Sequence, residues 1–249
     1  MKLIDFCFII VIIVSCNNTG ESHTRKLIGD KYIESKFIND TMYDGLTKYY
    51  SLSNVLESAI EFNKGIKSGY SINYYPSGIV HDSMTFINGL AHGYHFVYDS
   101  MGNLEYKDYF YQGRKVGGLY FYKEGKIVEY DFVSFDGKLL YKAKYDEMGS
   151  IKEFGGEIIT LNRSAKHSGD KEEDILFLYI PNPPSILIEY SIYVYDSVNQ
   201  KKQNFKSIPQ TQEMFIELVL PRLVNSSYLV QAYYLDSLNN FTKVYISPF

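Results

Sequence analysis

Between residues 38 and 159, large apolar or aromatic residues alternate with smaller or polar ones over short stretches. In Tyr94-His95-Phe96-Val97-Tyr98 the large side chains recur at every second position, the period of a strand and not of a helix. The stretches also return at a fixed interval. Tyr50, Tyr74, Tyr98 and Tyr122 stand 24 residues apart, with Ile72, Phe96 and Tyr120 two residues before the last three. Leu56, Val80, Leu104, Ile127 and Ile151 form a second column, and Phe62, Phe86 and Phe110 a third that ends at Ser134. Each 24-residue unit is predicted to be a pair of short strands.

Glycines keep the same interval. Gly65, Gly89, Gly113 and Gly137 form one series and Gly69, Gly93 and Gly117 another. Gly78 and Gly102 form a third, with Gly125 one residue early and Gly149 back in step. Extended backwards, the second series reaches Gly45 and the third reaches Asn54. Asn is the commonest non-glycine residue in the left-handed backbone that tight turns require. Tyr75-Pro76-Ser77-Gly78, Asp99-Ser100-Met101-Gly102 and Tyr122-Lys123-Glu124-Gly125 therefore read as short hairpin turns. Asn88 to Gly93 and Gln112 to Gly117 read as longer polar turns between units. Neither connection has room for a helix, so the units should join as an antiparallel meander.

An aromatic residue, a turn ending in Gly, an aliphatic residue, then aromatic-x-Asn/Gln-Gly with a second Gly four residues later resembles the MORN repeat. It is most similar to the bacterial variant in YwqK-type proteins, which often carry an antitoxin label. The resemblance covers residues 38–159 and is clearest from Gly65 to Gly117. It fades after Gly137, where Tyr141 replaces the second Gly, and before Gly65, where Thr41 replaces the first. It implies an all-β fold: an elongated antiparallel meander sheet of hairpin repeats.

Residues 1–16 read as a targeting segment outside the fold. Lys2 precedes an apolar run from Phe6 to Val14, and Ile13-Val14-Ser15-Cys16 resembles a bacterial lipobox. The run is shorter than the roughly 20 residues that span a bilayer. Cys16 would carry acyl chains such as palmitate, leaving no free thiol, because Cys7 is the only other cysteine. Residues 17–37 are polar and are expected to be a flexible tether. The resemblance places the protein at the cell envelope, on the outer membrane, with either face possible.

The period breaks after Glu157, and Gly169-Asp170-Lys171-Glu172-Glu173-Asp174 reads as a charged linker, so residues 160–174 are taken as the domain boundary. Beyond it, Ile175-Ile180, Ile186-Tyr195, Met214-Leu220, Tyr228-Asp236 and Phe241-Ile246 read as strands. An Asn239-Asn240 turn is expected to join the last two. Residues 175–249 are thus expected to form a small immunoglobulin- or fibronectin-like β sandwich, or else to pack against the end of the repeat sheet.

With 25 Lys and Arg against 29 Asp and Glu, the chain has no basic stripe to release counterions from phosphate, so nucleic acid is not expected as a partner. The charge balance disfavours anionic lipid as a ligand in the same way. Twenty-five tyrosines and no tryptophan suit a thin sheet whose rings pack while their hydroxyls stay wet.

His81, His92 and His95 are the only residues that suggest a metal. His92 and His95, three apart, could chelate together only across a bend at Gly93, and no metal or other cofactor is expected. Asp82, Glu105, Asp108, Glu129 and Asp131 are scattered over the strands. A pair of them could in principle serve a glycosidase, yet the sequence isolates no two, and no enzyme is expected.

The column Tyr50, Tyr74, Tyr98 and Tyr122 could stack against a sugar chain or a partner strand, or could simply tie one hairpin to the next. The sequence therefore points to a non-catalytic, membrane-anchored repeat lipoprotein that binds or scaffolds an envelope protein or glycan. The antitoxin label of the family implies toxin neutralisation as an alternative, and glycan capture for sugar uptake is a further one.

Overall fold

The computed structural model describes residues 23–156 without a break, and beyond them residues 160–168, 171–179, 181–184, 186–196, 201–208, 215–221, 226–236 and 245–248. The lipobox and Cys16 lie outside the described residues. Every helix or strand among those described is a strand. The first fourteen are β1 (Thr24–Ile28), β2 (Lys31–Ile38), β3 (Met42–Tyr50), β4 (Leu56–Asn63), β5 (Ile66–Tyr74), β6 (Val80–Ile87), β7 (Leu90–Ala91), β8 (Gly93–Tyr98), β9 (Leu104–Tyr111), β10 (Arg114–Lys115), β11 (Gly117–Lys123), β12 (Lys126–Val133), β13 (Leu139–Tyr145) and β14 (Ile151–Gly156). They belong to one sheet in which the strands follow in sequence order, with β7 and β10 pairing back on β6 and β9. The chain divides into two compact units, Met1–Leu104 and Glu105–Phe249.

Two kinds of turn alternate along this meander. In one, the loop closes as Tyr75 N–H donates to the Ile79 carbonyl (2.8 Å) and Gly78 N–H to the Tyr75 carbonyl (2.8 Å), with Gly78 at φ 86°. This is the pattern of a type I turn followed by a glycine bulge. Asp99–Gly102, Ser134–Gly137 and Asp146–Gly149 repeat it, and so does Ser51–Asn54, where Asn54 itself sits at φ 63°. Asn54→Ala is expected to lower stability by about 1 kcal/mol and Asn54→Gly by less, as compared by thermal unfolding.

In the other kind, both central residues have positive φ: Lys64-Gly65, Asn88-Gly89, Gln112-Gly113 and Glu124-Gly125. That is the signature of a two-residue type I′ hairpin. Here the structure corrects three expectations. Asn88 to Gly93 and Gln112 to Gly117 are not long loops, because Ile87 pairs with Leu90 and Tyr111 with Arg114 directly across the turn. Gly125 comes one residue early because its hairpin is of this tighter kind, Lys123 pairing with Lys126. Gly137 keeps the interval but belongs to the first kind of turn, unlike Gly65, Gly89 and Gly113.

The Gly69, Gly93 and Gly117 series marks a bulge. Ser83 pairs with Phe96 and Phe86 with Ala91, so Met84 and Thr85 face the four residues from His92 to His95. The pairs Lys107 with Tyr120 and Phe110 with Lys115 reproduce this 24 residues later. Gly93 has φ 105°, and a Cβ there would lie 2.4 Å from Thr85 Oγ1. Where Tyr141 replaces the glycine, the bulge is gone and β12 and β13 pair in plain register, Asp131 with Lys142 and Phe132 with Tyr141.

The sheet also begins earlier than the repeat pattern does. Residues 24–37, expected within a tether, form β1 and most of β2. Their polar composition is the wet side of a strand: Ile33 and Ser35 are buried, while Lys31 pairs with Glu57 at 2.7 Å and Lys36 with Asp44 at 3.4 Å. The expected linker is likewise strand. β15 (Thr160–Ser168) and β16 (Lys171–Tyr179) form an antiparallel hairpin whose register sets Lys166 opposite Glu173 and His167 opposite Glu172. The remaining strands are β17 (Ile186–Asp196), β18 (Lys201–Ile208), β19 (Phe215–Pro221), β20 (Ser226–Asp236) and β21 (Tyr245–Pro248). They complete two antiparallel sheets, β15-β16-β19 and β18-β17-β20-β21. β18 replaces part of an expected break, and the Asn239-Asn240 turn lies outside the described residues.

In the second unit the largest buried side chains gather on one side of β12 and β13. Tyr130, Phe132, Tyr141 and Ala143 are at most 1% exposed. Residues 179–184 reach this layer through three hydrogen bonds. Asn182 N–H donates to the Tyr130 hydroxyl (3.1 Å), the Tyr145 hydroxyl to the Pro184 carbonyl (3.1 Å) and Phe135 N–H to the Tyr179 hydroxyl (3.3 Å).

Candidate functional site

The tyrosine column lies where the periodicity put it. Tyr50, Tyr74 and Tyr98 end β3, β5 and β8, Tyr122 is the penultimate residue of β11, and all four are half-buried. One such ring per hairpin, with strands 4.7–4.9 Å apart, recurs about every 10 Å across the sheet. Part of the column is already engaged within the protein. The Arg25 guanidinium lies 4.5 Å above the Tyr50 ring, and the Tyr50 hydroxyl donates to Glu34 at 3.2 Å. Burial, and then the Glu34 carboxylate, push the Tyr50 phenol up. Burial pushes Tyr122 up as well. The Tyr98 carbonyl accepts from the Tyr75 hydroxyl at 2.8 Å.

The histidines divide differently from the sequence reading. His81 and His95, not His92 and His95, come together, and they do so around Asp82. His81 Nδ1 is 2.6 Å from one carboxylate oxygen and His95 Nε2 is 4.0 Å from the other. Asn73 donates its amide to the same carboxylate at 2.9 and 3.1 Å. His92 takes part in the bulge through its backbone, its N–H donating to the Thr85 carbonyl at 2.9 Å. Among the described residues no group of three or more His, Cys, Asp or Glu side chains has an arrangement that could hold a metal ion.

The carboxylates form two further clusters. Asp108 is fully buried between Lys115 Nζ (2.5 Å) and the Tyr106 hydroxyl (2.8 Å), and Lys115 also donates to that hydroxyl at 2.6 Å. Burial drives the Tyr106 phenol up to about 12, with Lys115 and Asp108 pulling in opposite directions. Glu129 and Asp131, two apart on β12, share Lys142, which lies 2.6 Å from Glu129 and 3.4 Å from Asp131. Glu105 is exposed. Sequence reasoning missed both lysines, since only the strand register shows which cation lies across from which acid.

Asp131 Oδ1 is buried and accepts no hydrogen bond. Burial raises the carboxyl above its ordinary range, with Lys142 opposing the shift. A folded-state pKa above the unfolded one gives stability that is present below the ordinary carboxylate pKa and lost as pH rises through the folded value. Asp131→Asn stays neutral and should unfold at a higher temperature than wild type at pH 7, by an amount on the order of 1 kcal/mol. The difference should vanish near pH 3, as thermal melts at the two pH values would show.

No protein-family model matches the chain, and no curated protein matches it.

Proposed function

We propose that the protein is a non-catalytic repeat module of MORN type, held at the cell envelope by acyl chains on Cys16, and that its array binds an extended partner such as a glycan chain. The carrying observation is the tyrosine column: half-buried rings return at the same strand position once per hairpin. Rings at equal intervals match a ligand that is itself repetitive, and stacking tolerates variation in the ligand's polar groups. Tyr74 and Tyr98 carry this role, while Tyr50 serves the sheet through Arg25 and Glu34.

The two C-terminal sheets are read as one immunoglobulin- or fibronectin-type sandwich that adds a second contact surface. Support comes from their strand orders. Strands one, two and five of the seven lie in one sheet and the other four in the second, so the chain changes sheets between consecutive strands, as Greek-key sandwiches do. A start at Thr160 also supplies a length close to the roughly 100 residues of such a domain.

The test is glycan-array and envelope-pulldown binding by wild type, Tyr74→Ala and Tyr98→Ala. Binding in wild type that falls at least tenfold in both variants is expected. Equal binding by all three removes the tyrosine column from the function.

A further inference from the structure

In the first unit, the turn after β1 and the Ser51–Asn54 turn are neighbours at one corner of the sheet. Tyr32 pairs with Tyr50, and the Arg25 guanidinium donates to the Asn54 side chain. Three large aliphatic side chains stand in water at this corner: Leu27 is 57% exposed, Ile28 45% and Leu52 61%. A contiguous apolar patch on an otherwise polar rim marks a contact surface. The same unit has another such group, Ile66, Ile87 and Leu90, each just over half exposed. Exposure alone does not separate the two patches.

Chain length does. β1 is the outermost strand of the sheet and starts at Thr24, only eight residues after Cys16. Eight residues reach at most about 29 Å when fully extended. An acyl chain on Cys16 would thus hold β1 close to the lipid surface, and a patch kept there at high effective concentration needs little affinity of its own. We propose that the corner formed by Leu27, Ile28 and Leu52 docks on the lipid bilayer that anchors Cys16, so that the array leaves the membrane from its β1 end. The inference rests on the lipid-anchored reading above. Cations at the corner are already paired, Lys31 with Glu57 and Lys26 with Asp40. Docking is therefore by apolar insertion into the interface and depends little on salt.

The test uses the full chain, acylated in cells and reconstituted in neutral phosphatidylcholine vesicles, with the mass of the amino-terminal peptide reporting the acyl chains. Ile28→Cys, Leu52→Cys and Leu90→Cys variants are each labelled with an environment-sensitive fluorophore. The expected result is a blue shift, with quenching by lipid-borne quenchers, at positions 28 and 52 and not at 90. Acylated protein in which 28 and 52 stay unshifted, or in which 90 shifts instead, overturns the docking while leaving the anchor intact. A shift that follows protein concentration and not lipid also overturns it, in favour of a second copy at the corner. Absence of acyl chains on Cys16 overturns the reading beneath it.

Discussion

Tyr130→Ala will lower the unfolding free energy by about 4 kcal/mol, in the range found for large aromatic side chains removed from a packed interior. The ring is 1% exposed and has Tyr120 at 5.0 Å, Tyr141 at 6.2 Å and Phe132 at 6.5 Å between centroids. Its hydroxyl also accepts from Asn182 N–H, so the substitution removes both the centre of the buried layer and its bond to residues 179–184. Tyr130→Phe separates the two contributions. It keeps the ring, strips the hydrogen bond and should cost about 1 kcal/mol. Urea unfolding followed by far-UV circular dichroism measures both, and a Tyr130→Ala midpoint equal to that of wild type would show that the layer does not hold the second unit together.

Lys115→Met should cost about 3 kcal/mol, because it leaves a fully buried carboxylate without its cation. Asp108 has no exposed surface, and Lys115 Nζ lies 2.5 Å from it. Adding Asp108→Asn to Lys115→Met removes the stranded charge and should restore most of the loss, a recovery that simple loss of lysine packing would not give. Burial lowers the Lys115 pKa, but hydrogen bonds to Asp108 and Tyr106 outweigh it and leave the ammonium above its ordinary value. A raised lysine contributes stability that is complete below the unfolded value, about 10.4, and fades as pH rises through the folded one. The gap between wild type and Lys115→Met should therefore be constant from pH 7 to 9 and narrow above pH 10.5 or so. Urea midpoints at pH 7, 9 and 11 provide the check.

Three strands escaped the sequence reading, and all three lie at sheet edges. β1 (TRKLI) ends the large sheet, β15 (TLNRSAKHS) ends the three-stranded one and β18 (KKQNFKSI) the four-stranded one. Edge strands present unpaired backbone groups, and lysine or arginine on them discourages pairing with other chains. The same charges make an edge strand look like a loop in composition, which is why residues 24–37 resembled a tether and residues 160–174 a linker. Inner strands such as β5 and β9 were legible because each is bounded by turn glycines at a constant interval. The clusters around Asp82, Asp108 and Lys142 were not legible for a different reason. Their members sit on neighbouring strands whose register depends on the kind of turn and on the bulge, and Gly125 and Gly137 show that even a regular glycine series does not reveal which kind is present.

Within the first unit, the hydrogen bond from Gly65 N–H to the Tyr43 carbonyl (2.7 Å) recurs 24 residues on, from Gly89 N–H to the Lys67 carbonyl (2.8 Å). Each hairpin thus docks on its predecessor through the same acceptor position. Excising or duplicating one whole period between Gly65 and Gly89 would leave every donor facing a valid acceptor, whereas an excision one residue shorter would throw all downstream ladders out of step. A gene encoding such a ribbon can change its width by unequal crossing-over, two strands at a time, without touching either end.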